Sequence, residues 1–205
     1  MKHFSNNAID QLEKLHRINL INSCTGYKSA NLIATRSKDG IENVAIFSSV
    51  LHLGSNPPLL GFILRPTTVS RNTYDNLKKT GVFTVNHVHK DIIKDAHHTS
   101  AKYDGSISEF DKTQLVSEYK EKFFAPFVTG SPVQIACEYV NEYCIKENEC
   151  LLIIGKIKHL FCKEAMLQDD GFIQLDKGNT LAINGLDGYT LPSLLQRETY
   201  ARPND

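Results

Sequence analysis

Pro58-Leu59-Leu60-Gly61-Phe62-Ile63-Leu64, Arg65-Pro66-Thr67-Thr68-Val69-Ser70-Arg71-Asn72-Thr73, Tyr74-Asp75-Asn76-Leu77-Lys78-Lys79-Thr80-Gly81, Val82-Phe83-Thr84-Val85-Asn86: this stretch decides the fold. It reads as a buried strand, a polar loop, a short helix and a second buried strand. Asn72 is placed to cap the helix, with Asp75 three positions on as in a capping box. Gly81 is placed to end it in the left-handed conformation. Two arginines and a run of hydroxyls before a helix start suit a phosphate. Free amides point at it, the helix dipole favours it, and arginine grips it with paired hydrogen bonds. A capped surface helix with solvated arginines would carry the same residues, so the flanking strands must decide.

Upstream lies a hairpin. Residues 30–36 form one arm, Ser37-Lys38-Asp39-Gly40 the turn, and 43–50 the return arm, with Asp-Gly as a tight-turn signal. The return arm ends in Ser48-Ser49, just before Asn56-Pro57-Pro58 opens the next strand. Such hydroxyls can hydrogen-bond a flat heterocycle, or they can satisfy local backbone as the strand ends. Before the hairpin, Asn7 to about Arg17 reads as helix and 18–22 as a short strand.

Downstream, 87–98 reads as a short helix, 99–105 as a polar loop, and 112–124 as partly helical. Val133, Ile135, Cys137 and Tyr139 alternate with polar residues as a half-buried strand. Residues 141–149 read as a connector. Cys150 to Phe161 is a long strand with Gly155 as its bend. From Gly178 the chain is apolar yet aperiodic, and such a segment has to dock on the body or on a second subunit. The whole, 1–205, reads as a single domain with 178–205 as a docked tail. Six to eight strands with hairpin-like turns predict an antiparallel barrel, which removes exposed edges. No G-x-G-x-x-G follows a strand, so a dinucleotide-binding α/β fold is disfavoured.

Composition bounds the partners. The 205 residues carry 23 basic and 23 acidic side chains, so no basic excess exists to neutralise a nucleic-acid backbone. The first residues lack the apolar run of a signal peptide, and no stretch reaches membrane-span length. A soluble, cytoplasmic protein is expected. The five cysteines are odd in number, irregularly spaced and without a C-x-x-C pair, which argues for free thiols. His87 and His89 would share a strand face, but no spacing supports a metal site. His97 or His98 is the better candidate for a histidine near a bound ligand.

The order of these segments is familiar. Asn43-Val44-Ala45-Ile46-Phe47-Ser48-Ser49, Pro57-Pro58, Arg65, Asn72-Thr73 and Gly81-Val82-Phe83-Thr84-Val85-Asn86 follow one another at fairly specific spacing. Thr99-Ser100-Ala101-Lys102-Tyr103, Ser108-Glu109-Phe110 and Gly130-Ser131-Pro132 come later. From about Ile18 to Phe161 the chain resembles the flavin reductase-like family of FMN-binding split barrels. The resemblance implies a mainly β fold, a six-stranded antiparallel Greek-key split barrel with a few peripheral helices. It implies a homodimer with FMN near the subunit interface. It implies NAD(P)H-dependent reduction of flavin, or electron transfer through a bound flavin as in flavoredoxins. Carried over by position, Asn43, Ala45, Phe47, Ser48 and Ser49 would line the ring. Arg65, Thr67 and Thr68 would border its edge and the ribityl chain. Ser70, Arg71, Asn72 and Thr73 would hold the phosphate, and Asn86 would lie close to the ring. The family often has Lys-Asp-Thr where this chain has Arg71-Asn72-Thr73, which preserves the cation. The segment from Gly178 has no mapped counterpart. No catalytic side chain is nominated, because in such a site the cofactor supplies the chemistry. A related barrel holding another ligand, such as haem, is the third reading.

Overall fold

The computed structural model describes residues 1–203. Among the described residues, twelve strands occur in chain order. They are β1 (Lys28–Ser29), β2 (Asn31–Arg36), β3 (Glu42–Phe47), β4 (Leu51–Ser55), β5 (Pro58–Leu64), β6 (Val82–His87), β7 (Ser117–Glu118), β8 (Phe127–Val128), β9 (Val133–Ile145), β10 (Cys150–Cys162), β11 (Ala182–Asn184) and β12 (Gly188–Thr190). The α-helices are α1 (Asn6–Asp10), α2 (Lys14–Cys24), α3 (Asn72–Thr80) and α4 (Ile93–His98). The main sheet has seven strands in the order β3-β2-β6-β9-β10-β5-β4, every pair antiparallel. Strand β4, unread in the sequence, adds the seventh. The result is the mainly β, antiparallel architecture that the alternating strands predict.

Two cores follow from period-two alternation. Ile33, Phe62, Leu64, Leu77, Phe83, Val85, Cys137 and Ile153 fill the interior. Leu32, Ala34, Val44, Val88, Phe110, Val128, Leu181 and Ile183 fill a second layer on the outer face of β2, β3 and β6. Gly155 marks a register shift in the β9–β10 ladder. A Cβ there would lie 2.5 Å from Phe83 Cζ, so the bend and the ring share one space.

Five local readings change. The helix read from Asn7 to about Arg17 is interrupted at residues 11–13, so that its first part is α1, capped by Ser5, and its second part opens α2. Residues 18–22 belong to α2 rather than to a strand. Glu13 caps that helix, its Oε2 accepting from the Leu15 and His16 amides at 3.0 and 3.2 Å, and the apolar run simply continues it. Residues 141–149 are not all connector, because β9 runs on to Ile145 in register with β10. Its outer half lies off the core, with Val140 and Tyr143 exposed, so no alternation marked it. The 112–124 segment is not helical beyond one 3-10 turn at Glu109–Lys112. Glu121 and Lys122 both take positive φ, which breaks any helix there. Helix α3 has Arg71, not Asn72, at its N-cap, and no side chain caps it. Gly81 does close that helix, at φ 74°.

The chain after Gly178 returns to the body. β11 pairs with both β1 and β12, and Leu181 and Ile183 enter the outer core. Residues 191–200 form no helix or strand and are tied by the Leu194 amide to Asp176 and by Arg197 to Asp170.

On the interior face, Asn31 and His87 are cross-strand partners. Asn31 Oδ1 and His87 Nδ1 are enclosed without hydrogen-bond partners. Burial drives the imidazole pKa down to about 4 from its ordinary 6.5. The fold therefore favours neutral His87, and its contribution is present above pH 6.5 and lost as pH falls toward 4. His87 as a whole residue is only half-buried, so the effect is expected to be roughly 2 kcal/mol. His87→Leu is expected to flatten the loss of stability between pH 7 and pH 4.5, read from urea midpoints at each pH.

Candidate flavin site

Strand β3 and the start of α3 form the site's two walls. On β3 the side chains of Asn43, Ala45 and Phe47 share one face, while Val44 and Ile46 turn to the outer core. The Phe47 ring stands edge-on to Phe62, centroids 5.2 Å apart, and Phe62 stands edge-on to Phe83. Phe47 is itself half-buried, which leaves an apolar surface beside the interior core.

One amide joins the walls. Asn43 Nδ2 donates to Thr73 Oγ1 at 3.0 Å and to Thr35 Oγ1 at 3.3 Å. Thr73 is the second residue of α3, 30 positions away in sequence. The amides of Asn72, Thr73 and Tyr74 have no protein partner among the described residues, since α3 lacks a side-chain cap and its first closing bond runs from Asp75 to Arg71. Three free amides at a helix start are an anion seat.

The loop between β5 and α3 supplies the cations. Arg65 is exposed and makes no hydrogen bond or ion pair among the described residues. Thr67 and Thr68 are exposed in the turn that follows. Arg71 Nε donates to the Pro66 carbonyl at 3.2 Å, bracing the loop from within. Ser70 Oγ donates to Asp75 Oδ2 at 3.0 Å, so the predicted cap acid is held by a serine instead. Asn72 lies against the 99–108 loop, where a Cβ added to Gly105 would sit 3.2 Å from its Oδ1.

The two serines divide. Ser49 Oγ donates to the Ile63 carbonyl at 3.0 Å and accepts the Ile63 amide at 3.1 Å. It thus continues the β4–β5 ladder with a side chain and satisfies backbone, the second of its two possible roles. Ser48 Oγ carries no such commitment among the described residues. Asn86 is the residue that the fold does not bring to the group. It is fully buried on the outer-core side, donating to the Leu32 carbonyl and Thr84 Oγ1 and accepting from the Val128 amide. Its amide is consumed in joining β2, β6 and β8. His98 Nε2 meets the Tyr103 hydroxyl at 2.6 Å, and His97 Nδ1 the Tyr189 hydroxyl at 3.0 Å.

The group thus sets an apolar face beside an anion seat, bordered by the exposed Arg65, Thr67 and Thr68. Residues 26–177 match the family model described as "Flavin reductase like domain". The chain belongs to that family. A flavin reductase-type protein with a split barrel domain from Shewanella frigidimarina NCIMB 400 is 43% identical, with a TM-score of 0.94 over 98% of this chain and 100% of that one. The flavoredoxin of Desulfovibrio vulgaris (Miyazaki F) is 19% identical, with a TM-score of 0.73 over 85% of this chain and 92% of its own. An FMN-binding protein from Thermus thermophilus is 17% identical, with a TM-score of 0.68 over 88% and 93%. The first of these likenesses names the split-barrel fold, and the latter two show a shared fold alone. Among the described residues, no helix of this flavin reductase-like chain is long and apolar enough to cross a membrane.

The resemblance includes Glu109 but implies no role for it in the site. It is 6% exposed, and its Oε2 accepts the Val44 amide at 3.0 Å. A buried acid in a loop leaves no periodic signal, so only the fold reveals it.

Proposed function

We propose that the protein is an FMN-binding oxidoreductase that reduces flavin at the expense of NAD(P)H. The observation that carries this reading is the Asn43–Thr73 hydrogen bond, which sets a ring-sized apolar face beside uncapped helix amides. One anion seat suits a flavin mononucleotide better than a dinucleotide. Asn72, Thr73, Ser70 and Arg71 would hold the phosphate, Arg65, Thr67 and Thr68 the ribityl edge, and Asn43, Ala45, Phe47 and Ser48 the ring. The Ser49 backbone, locked through its hydroxyl, would shape the slot's end. The bound flavin supplies the two-electron chemistry. The chain's own residues bind it, orient it and leave one ring face open to a nicotinamide.

The decisive experiment is a visible spectrum of protein loaded with FMN, followed by NADH or NADPH added anaerobically. Bleaching with either nucleotide is expected. Stable yellow colour against both would move the assignment to an electron carrier of the flavoredoxin kind, which the same residues would serve. Arg71→Ala is expected to weaken FMN by about 2 kcal/mol, the worth of a charge-assisted bond, in a fluorescence titration. Unchanged affinity would remove Arg71 from the seat.

We further propose a homodimer. Leu51 and Leu53 on the edge strand β4, with Val140 and Tyr143 on β9, leave apolar surface uncovered, which a second copy would cover. Light scattering of the purified protein checks this. The cytoplasm is the proposed compartment, consistent with five free cysteines.

A further inference from the structure

Glu109 opens the 3-10 turn Glu109–Lys112 that follows the 99–108 loop. The start of the turn is fixed twice. Ser108 Oγ accepts from the Phe110 amide, and the Phe110 side chain packs in the outer core with Val44. No cation meets the Glu109 carboxylate among the described residues, and burial pushes its acid pKa up. A lone enclosed carboxylate is costly and calls for a return.

That return lies in its partner. Strand β3 is an edge strand, and the Val44 amide points away from β2 with nothing but Glu109 to receive it. Val44 sits between Asn43 and Ala45, both assigned to the ring face. Four residues before Glu109, Gly105 rests against Asn72 at the start of α3. The segment from Gly105 to Glu109 therefore meets both walls of the slot, at Asn72 and at Val44.

We propose that Glu109 is a positioning residue for the flavin slot: its carboxylate clamps edge strand β3 at Val44 and, through the stretch back to Gly105, sets β3 against the start of α3. The inference rests on the flavin reading above. It gives the acid a task distinct from chemistry, since it acts on the ring only through the strand.

The test compares wild type, Glu109→Gln, Glu109→Asp and Glu109→Ala for FMN affinity by fluorescence and for melting temperature without FMN. Glutamine can still accept the Val44 amide, so it is expected to keep affinity within about threefold. Alanine and the shorter aspartate lose the clamp and are expected to bind about tenfold or more weakly. Glutamine as weak as alanine overturns the clamp. So do folded alanine and aspartate variants that bind like wild type, even when their melting points fall. Where alanine does not fold, the aspartate variant decides by the same criterion. Failure of the wild type itself to bind FMN overturns the flavin reading, a result distinct from equal affinities across the series.

Discussion

Gly155→Ala is expected to cost about 3 kcal/mol, among the largest effects of any single methyl added to this chain. The new Cβ would lie 2.5 Å from Phe83 Cζ and 2.9 Å from Cε1. Phe83 has little room to retreat, because it is fully buried and packs edge-on against Phe62. The strand cannot retreat either, since β10 is paired on both sides by β9 and β5. Relief has to come from tilting an aromatic ring in a close-packed interior. Urea unfolding at neutral pH measures the loss. A variant within 0.5 kcal/mol of wild type, the scatter of a neutral surface change, would show that Phe83 and the bend are not in competition.

Asn86→Ala is expected to destabilise by about 3–5 kcal/mol while leaving FMN affinity of the folded fraction nearly intact. Three groups lose a partner at once: the Leu32 carbonyl, Thr84 Oγ1 and the Val128 amide. Each enclosed polar group left unmet costs about 1–3 kcal/mol, and the cavity adds to that. The resemblance sets Asn86 beside the ring, whereas its side chain here faces the outer core. The two placements part in one titration. Equal FMN affinity supports the structural role, and a tenfold loss in folded protein returns Asn86 to the flavin.

Much of the fold was legible because its strands are both buried and alternating. The hairpin of Asn31–Arg36 with Glu42–Phe47, and the strands Pro58–Leu64 and Val82–His87, carry unbroken apolar faces that only a packed interior explains. The glycine at 81 was legible because a left-handed helix end demands it. What escaped lay outside the core. β4 exposes most of its residues, and the outer half of β9 leaves Val140 and Tyr143 in the open, so neither shows a buried face to read. The short apolar run 18–22 suits helix and strand alike, and a cap five residues upstream decided it.

The candidate site divides on similar lines. The chemistry of the loop between β5 and α3 is local and was visible as arginines and hydroxyls before a helix. Asn72 suits a cap in isolation, which is what the sequence shows. Yet Arg71 holds that position with extended backbone, leaving the amides free. The roles of Ser49, Asn86 and Glu109 depend on partners 14, 42–54 and 65 positions away. No local pattern encodes such distances, and they emerge only when the sheet closes.

The pairing of β1 with β11 makes the two ends of the chain mutually dependent. Ser29 and Lys28 have no ladder partner besides Ala182 and Ile183, and Ala30 donates its amide to Leu181. A shortened version stopping at Gly178 would strip Leu181 and Ile183 from the outer layer and bare Ala30 and Val88 to water. Expression trials that trim the C-terminus to a neat barrel should therefore yield sticky, aggregating material, and supplying the missing segment as a separate peptide should restore solubility.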